Sequence, residues 1–342
     1  MREPDRQRFL DAVAHEEGPE IPLFELEADI KIVNQMMGKS YDMALHSFEI
    51  PVGDVVEWNR RMGNDMIYMG HVWHLGRIEK TDEEGRVHYV DGFMKDRSFL
   101  NDIDYPDTDR IRRRLDALLT ETDGTGFGVI HGCQTAGFTV STAIGYEDFC
   151  LKTILDPGFI QDFQKYVHEY CMNELEILLE YPIDGFKIAS GMITNNGSMI
   201  SPEMMDIYEY PFMRDLTDLV KSKGRLVLYH VDGNLREHMP RFLEMGADIM
   251  NPVDPAGGSQ SIYELKERFG DEVAFCGNID VDGVLLKGTP DDVKRDVQEH
   301  IRRLSLGGGY IVASSHDLHQ LIPVENIYAM RDAVHEWGAT RP

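Results

Sequence analysis

The segment Tyr229-His230-Val231-Asp232-Gly233 ends an apolar run with two side chains that bind metals or transfer protons. Three later stretches follow the same pattern: Asn251-Pro252-Val253-Asp254, Phe275-Cys276-Gly277-Asn278-Ile279-Asp280 and Ala313-Ser314-Ser315-His316-Asp317. They are spaced about one strand–helix unit apart, and in a barrel of parallel strands the carboxyl ends meet at one face. We therefore expect one site assembled from several strand ends.

Eight apolar runs of strand length lie along the chain, and helical patterns separate most of them. The runs cover residues 21–27, 65–70, 126–132, 183–190, 225–232, 247–253, 273–279 and 310–315. This alternation over 342 residues is typical of a (β/α)8 TIM barrel. A doubly wound open sheet is the alternative, but no strand is followed by a glycine-rich phosphate-binding motif. Because no Pro/Gly/Ser-rich linker divides the chain, residues 1–342 are expected to form one domain.

Helix signals fill the intervals between the strands. We expect helices over residues 5–16, 157–180 and 234–245, and others beginning at Ser201-Pro202-Glu203, Thr289-Pro290 and Pro323-Val324. The helix that begins at Ser201 should run to about Lys223. Residues 76–94 alternate polar and apolar side chains around Glu83-Glu84-Gly85, which predicts a hairpin inserted after the second strand.

Composition limits the possible partners and the compartment. The chain has 60 acidic and 34 basic residues, a formal charge of −26 that disfavours nucleic acid and anionic membranes as partners. No apolar run approaches the roughly 18 residues needed to span a bilayer, and Met1-Arg2-Glu3-Pro4-Asp5 is unlike a signal peptide. The four cysteines (Cys133, Cys150, Cys171, Cys276) are irregularly spaced and do not suggest a disulfide scaffold. We expect a cytoplasmic protein.

The strand-end residues suggest a metal site. His230 and Asp232 should share one face of their strand because side chains alternate. Together with Cys276 and His316 they form a mixed N/S/O set suited to zinc, and three ligands with one open position would make a Lewis acid. His230 and Cys276 each have a structural interpretation as well. His230 could be a core histidine hydrogen-bonded by Asp232, and Cys276 could be a small buried hydrophobic residue. A metal-free proton-transfer cluster is the other functional interpretation. Asp317 should point away from His316.

Earlier strand ends add candidates for acid–base catalysis. Glu25 and Glu27 share one face, and one of them is expected to act as an acid or base. His131 ends the third run, and His71-Val72-Trp73-His74 follows the second as a loop whose Trp73 could wall an aromatic pocket.

These residues and several other motifs resemble the uroporphyrinogen decarboxylase superfamily over nearly the whole chain. The motifs are Arg8-Phe9, Ile21-Pro22-Leu23, Asp184-Gly185-Phe186, Ser201-Pro202-Glu203, His230-Val231-Asp232-Gly233-Asn234, Gly246-Ala247-Asp248, Cys276-Gly277-Asn278-Ile279-Asp280, Thr289-Pro290, Gly307-Gly308-Gly309-Tyr310 and Pro323-Val324-Glu325-Asn326. As a set they are specific, whereas any one alone is weak. The resemblance implies a (β/α)8 barrel, and a homodimer would be in keeping with it.

The superfamily contains two main activities. Its decarboxylases bind a tetrapyrrole with eight carboxylates through an arginine-rich segment after the first strand, where this chain has Phe24-Glu25-Leu26-Glu27-Ala28-Asp29. Its methyltransferases exchange a methyl group with a corrinoid protein. In the coenzyme M-dependent members zinc is held by a His-x-Cys pair and a later cysteine, and here His230, Asp232 and His316 occupy those places. Losing both thiolates disfavours activation of a thiol and favours activation of an oxygen.

The O-demethylating members of the superfamily are more similar. Their metal pattern, Asp-x27-Cys-x39-Cys, resembles Asp248, Cys276 and His316 in this chain. Asp248 should lie near the start of its strand, so Asp232 or Asp254 could reach the metal more easily.

The resemblance implies an enzyme that moves a methyl group from a small methylated substrate to a partner corrinoid protein. The best candidate substrate is an aryl methyl ether. We expect zinc at His230, Cys276 and His316, and catalytic roles for Glu27, His131 and Asp232. The alternatives are a metal-free decarboxylase or lyase acting on a smaller substrate, and a non-catalytic barrel that binds a small ligand or a tetrapyrrole.

Overall fold

Buried strand segments form a curled parallel sheet at the centre of the molecule. The computed structural model describes residues 2–83, 85–255 and 260–338. Their strands, in chain order, are β1 (Met66–Met69), β2 (Arg77–Thr81), β3 (Val87–Gly92), β4 (Gly128–Cys133), β5 (Gly185–Ser190), β6 (Ile193–Thr194), β7 (Gly197–Ser198), β8 (Leu226–Val231), β9 (Ile249–Pro252), β10 (Ala274–Cys276) and β11 (Tyr310–Ile311). The main sheet has the order β1-β4-β5-β8-β9-β10-β11 with every pair parallel.

The first predicted run, residues 21–27, closes this sheet without forming a regular strand. Phe24 N–H donates to the Val312 carbonyl at 3.0 Å, and Val312 N–H donates to the Pro22 carbonyl at 3.0 Å. On the other side, Asp65 N–H donates to the Leu23 carbonyl at 3.0 Å. The segment thus bridges β11 and β1, which confirms the predicted (β/α)8 barrel. Pro22 has no N–H to add to the ladder, which helps to keep this pairing short.

Helices cover the outside of the sheet. They are α1 (Arg6–Val13), α2 (Ile30–Met37), α3 (Val52–Met62), α4 (Thr108–Thr122), α5 (Ala136–Ile144), α6 (Tyr146–Leu155), α7 (Pro157–Leu178), α8 (Pro202–Tyr208), α9 (Tyr210–Ser222), α10 (Met239–Met245), α11 (Ile262–Phe269), α12 (Val284–Lys287), α13 (Pro290–Leu304) and α14 (Val324–Trp337), with a 3-10 helix at Arg97–Asn101. No helix in the described part of the chain is both long and apolar enough to cross a membrane.

The helix starts predicted at Ser201, Thr289 and Pro323 are confirmed, but two predicted helix ranges are wrong. The Ser201 hydroxyl caps α8 by accepting from Met204 N–H at 3.3 Å, and Thr289 forms a capping box at α13. The helix predicted from Ser201 to Lys223 breaks at Glu209, because Pro211 has no N–H to bond the preceding turn. The helix predicted over 234–245 begins only at Met239.

The hairpin predicted after the second strand is confirmed as the antiparallel pair β2–β3. Glu84, at its predicted turn, lies outside the described residues, as do residues 256–259 and 339–342. The hairpin extends from the carboxyl-terminal face of the barrel, where it overhangs the strand ends.

Candidate active site

His230 is held in one tautomer by Asn251. The two residues are paired in register on β8 and β9, so their side chains share the interior face of the barrel. Asn251 Nδ2 donates to the Cys276 carbonyl at 2.9 Å, which leaves Asn251 Oδ1, 2.7 Å from His230 Nδ1, as an acceptor. The proton of a neutral His230 therefore resides on Nδ1, and Nε2 presents a lone pair. Burial lowers the pKa of His230, which favours this neutral form.

Asp232 and His316 complete a group of three convergent ligand atoms. Asp232 Oδ2 lies 3.7 Å from His230 Nε2 and 3.7 Å from His316 Nε2. Ligand atoms of all three residues lie within 4.8 Å of one another. Around a tetrahedral zinc with bonds of about 2.1 Å, ligand atoms are separated by about 3.4 Å, so small side-chain shifts suffice. Asp232 Oδ1 is buried without a hydrogen-bond partner among the described residues, as expected for a carboxylate that awaits a cation.

His316 differs from His230 in its hydrogen bonding. Its Nδ1 accepts the Asp317 N–H at 2.8 Å, so a neutral ring would carry its proton on Nε2. Burial lowers the pKa of His316, but Asp317 and Asp232 outweigh it, so the pKa is raised overall. Metal binding through Nε2 requires this ring to give up the bond to Asp317. The group therefore fits zinc. His230 and Asp232 already present free ligand atoms, whereas His316 must change its tautomer and break its hydrogen bond to Asp317.

Glu27 belongs to a second charged group at the barrel mouth. Its Oε1 lies 3.4 Å from Lys187 Nζ, and its Oε2 lies 3.3 Å from His46 Nδ1. Lys187 Nζ also sits 4.5 Å from the centre of the Tyr68 ring. Burial would raise the pKa of Glu27, but Lys187 and His46 lower it to about 2. Glu27 is thus an ionised carboxylate at neutral pH and has no proton to donate.

Lys187 was not identified from the sequence. It lies on β5 inside an otherwise apolar run, and its side chain is only 13% exposed. A lysine in such a run is rarely buried without a partner, so its position was the available signal.

Glu25 lies deeper in the barrel than Glu27. It is 1% exposed and accepts from Ser314 N–H and from the Ser314 hydroxyl, each at 2.5 Å. Burial raises the pKa of Glu25 to about 7, against the opposing effect of Ser314.

The structure does not bring Cys276 into the group of His230, Asp232 and His316. Cys276 is fully buried, and its Sγ lies 3.9 Å from the Phe24 carbonyl oxygen. Burial raises the pKa of this thiol, which disfavours the thiolate that zinc binding needs.

Asp248 lies at the opposite end of its strand from the mouth. It forms an ion pair with Lys221 at 2.6 Å and accepts the Val227 N–H at 2.7 Å. Its place in the chain matches the pattern of the O-demethylating members, but its contacts give it a structural role.

His131 faces away from the barrel interior. A side chain at neighbouring Gly132 would collide with the Tyr68 hydroxyl, so position 132 faces inward and His131 faces the helices. His131 lines an outer cavity of about 610 Å³ together with His71 and Trp73. Burial lowers the pKa of His131 to about 4. The structure thus separates His131 from the mouth, and Trp73 walls this outer cavity.

A cavity of about 620 Å³ lies over the strand ends and beneath the β2–β3 hairpin, and we call it the mouth cavity. Glu27, His46, His316 and Asp317 line it, and so do side chains of the hairpin. The expectation that Asp317 points away from His316 is wrong, because regular strand alternation ends before these residues.

Comparisons with known proteins place the chain by family and by fold. Residues 100–337 match the family described as "Uroporphyrinogen decarboxylase (URO-D)". A uroporphyrinogen decarboxylase of Methylobacillus flagellatus is 35% identical over 92 residues, which are 27% of this chain and 24% of that protein. One of Aliivibrio salmonicida is 25% identical over 146 residues, 41% of this chain and 39% of that protein. The matches therefore span well under half the length of these curated relatives.

Solved structures agree on the fold over almost the whole chain. A methyltransferase from Methanosarcina mazei superposes with a TM-score of 0.74 at 15% identity, covering 97% of this chain and 98% of its own. A GH5_18 protein from Streptomyces cattleya in complex with GlcNAc gives a TM-score of 0.52 at 13% identity, covering 94% of this chain and 82% of its own. At such identities the likeness supports the barrel architecture.

Proposed function

The chain belongs to the uroporphyrinogen decarboxylase family, and from the side chains at its mouth we propose that it is a methyltransferase. It would move a methyl group from a small methylated substrate, an aryl methyl ether as the best candidate, to a corrinoid carried by a partner protein. The observation that carries this proposal is the convergence of His230, Asp232 and His316 at the strand ends. The methyltransferase from Methanosarcina mazei, which shares the fold, is in keeping with it.

The acidic segment after the first predicted strand argues against decarboxylation of a polycarboxylate. The family's decarboxylases use arginines there, whereas this chain has Glu25, Glu27 and Asp29. Glu27 is ionised and already paired with Lys187. A substrate with many carboxylates would be repelled by this segment.

We assign zinc to His230, Asp232 and His316. When bound, zinc would act as a Lewis acid that polarises the methoxy oxygen of the ether. Asn251 fixes the His230 ring so that Nε2 is available, since metal-binding histidines usually donate their other N–H to a protein acceptor. Asp232 supplies the negative charge that offsets the charge of the metal.

The proposed transfer balances in electrons and protons. The carbon–oxygen bond of the ether breaks, and its electron pair leaves with the aryl oxygen. Cobalt(I) of the corrinoid supplies the electron pair of the new cobalt–carbon bond. A phenolate with a pKa near 10 takes its proton from water at neutral pH, so no acid of this chain is required. Glu27 accordingly serves the site by holding Lys187 and His46 in position.

The test is to measure zinc content and methyl transfer on the same preparations. We expect about one zinc per chain in wild type and transfer to cobalt(I) corrinoid from at least one of a panel of methyl ethers, amines and thiols. His230→Ala and Asp232→Ala should lose both. His88→Ala is the matched control, because His88 is exposed on β3 and pairs with Asp82. Absence of zinc together with absence of transfer across the panel would overturn the proposal.

A metal-free decarboxylase or lyase is the second candidate, favoured by the family match and by the curated relatives. In that case His230, Asp232 and His316 would transfer protons to and from a substrate smaller than a tetrapyrrole. If this second function is correct, the decarboxylase or lyase activity should be the same before and after treatment of the protein with a metal chelator. A homodimer stays a prediction under either function.

A further inference from the structure

The outer cavity is a second space of ligand size, and the proposed methyl transfer does not use it. Its volume of about 610 Å³ lies within the range of small-molecule sites. Met69 and His131, paired in register on β1 and β4, line it from the strands, and Ile111 and Leu115 line it from α4. None of the three proposed zinc ligands lines it. The outer cavity therefore lies between the barrel wall and a helix, apart from the proposed metal site.

Aromatic side chains form much of the cavity wall, and their own contacts hold them in place. Trp73 donates its Nε1–H to the Asp104 carbonyl at 2.8 Å, and its ring centre lies 5.7 Å from that of Tyr105. Phe93 and Phe99 also line the cavity and pack edge to face, with their ring centres 5.6 Å apart. Rings fixed in this way offer flat apolar surfaces, which suit a planar aromatic ligand.

His131 supplies this apolar cavity with a hydrogen-bond acceptor. Its Nδ1 lies 2.8 Å from the Gly132 carbonyl, which only accepts, so Nδ1 carries the proton of the neutral ring and Nε2 carries a lone pair. Burial lowers the pKa of His131 to about 4, so the ring is neutral at pH 7. The residue is 2% exposed, and its Nε2 makes no hydrogen bond to the described residues. An acceptor buried without a partner costs free energy, which a ligand N–H or O–H would recover.

His71 lines the same cavity beside His131. Its Nδ1 is buried and has no hydrogen-bond partner in the described part of the chain, and its Nε2 lies 3.1 Å from Glu174 Oε1. Burial lowers the pKa of His71 to about 3 and raises the pKa of Glu174 to about 8. At neutral pH this side of the cavity is therefore polar but uncharged, which favours an uncharged ligand.

The charged residues that line the outer cavity are mostly acidic. They are Glu49, Asp102, Asp104, Asp107, Arg110 and Arg114. Both arginines are engaged by the protein: Arg110 lies 3.7 Å from Glu49, and Arg114 donates to the Ile50 carbonyl at 3.0 Å. Four carboxylates against two guanidinium groups, in a chain with a formal charge of −26, disfavour an anionic ligand.

We propose that the outer cavity is a second ligand site, which binds a small uncharged planar aromatic compound through an N–H or O–H that donates to His131 Nε2. The rings of Trp73, Phe93 and Phe99 would contact the ligand's aromatic surface. The inference goes beyond the proposed function and does not depend on it, because it uses neither the zinc ligands nor the mouth cavity.

The experiment compares indole with two analogues of the same ring size by titration calorimetry. Benzofuran has a ring oxygen in place of the N–H, and indole-3-carboxylate adds a negative charge. We expect wild type to bind indole about 5- to 30-fold more tightly than benzofuran, from one hydrogen bond to a buried acceptor, and the carboxylate most weakly. His131→Phe should bind indole and benzofuran equally. The control His88→Phe changes an exposed histidine on β3 and should keep the preference.

A second variant tests where the probe binds. Ile111→Trp adds bulk inside the outer cavity and should abolish indole binding, whereas Ala117→Trp, at an exposed position of the same helix, should not. Thermal unfolding shows whether the variants are folded, and His131→Phe, which removes a buried unpaired nitrogen, should unfold at the wild-type temperature or higher. The inference is overturned by wild type that binds neither indole nor benzofuran, by a preference for indole that survives in His131→Phe, by tighter binding of the carboxylate, or by unchanged indole affinity in a folded Ile111→Trp.

Discussion

Replacing Asn251 with alanine should weaken zinc binding without touching a proposed ligand. Asn251 Oδ1 is the acceptor for His230 Nδ1–H at 2.7 Å, and its Nδ2 is anchored on the Cys276 carbonyl at 2.9 Å. Loss of such a partner behind a histidine ligand typically lowers metal affinity by about 10- to 100-fold, or about 1.4 to 2.7 kcal/mol. Asn251→Ala also leaves two buried polar groups unpaired, at about 1 to 3 kcal/mol of folding stability each.

A competition titration against a chromogenic zinc chelator measures the affinity, and thermal unfolding measures the stability. Asn251→Asp should recover part of the zinc affinity, because it restores an acceptor for His230. Asn326→Ala is the control: Asn326 is as buried as Asn251 (1% exposed) and bonds the Leu285 and Gly288 carbonyls, outside the proposed site. It should cost stability and leave zinc affinity unchanged. A folded Asn251→Ala with wild-type zinc affinity would refute the reasoning.

Three further predictions concern single buried groups. Cys276→Ala should cost about 1 to 2 kcal/mol of stability through lost packing while zinc affinity by the same titration stays at the wild-type value; a large loss of affinity would make Cys276 a ligand after all. Lys187→Met leaves the buried Glu27 carboxylate without its main cation, so the pKa of Glu27 should rise. The free energy of unfolding at neutral pH, measured by chemical denaturation, should fall by about 3 to 5 kcal/mol. An unchanged free energy of unfolding would contradict the pairing of Lys187 with Glu27. Glu209 is fully buried, and burial raises its pKa to about 7 against the opposing effect of a contact with Ser190. An acid with a raised folded-state pKa costs stability as pH rises from its unfolded value near 4.5 through 7, so Glu209→Gln should gain on the order of 3 kcal/mol over wild type at pH 8 and almost nothing at pH 4. A difference that does not change with pH would exclude this explanation.

The barrel could be predicted from the sequence because its strands are buried on both faces. Such strands are short apolar runs separated by amphipathic helices, and seven of the eight predicted runs are strands of the parallel sheet. The run over 21–27 closes the barrel through a few hydrogen bonds and is not a regular strand. Whether such a run becomes a regular strand depends on its partners distant in the chain, and the local pattern does not reveal it. The break at Glu209 could have been predicted from Pro211.

The site was predictable to the extent that strand alternation holds. His230 and Asp232 share a face as expected, and His316 joins them across the mouth. His131 is also a strand-end histidine, but which face it occupies depends on the pairing register, which no single run of sequence reveals. Lys187 was missed because one lysine in an apolar run carries no motif. The tautomer of His230 depends on Asn251, a contact between two strands that only the fold brings together.

The central claim is tested most directly by single-turnover reaction of the zinc-loaded protein with 3-methoxybenzoate and cob(I)alamin, followed by absorbance. The account predicts that methylcobalamin and 3-hydroxybenzoate appear in equal amounts with wild type and that neither appears with Asp232→Ala. Demethylation that proceeds equally well in Asp232→Ala, or release of carbon dioxide with the methoxy group intact, would contradict it.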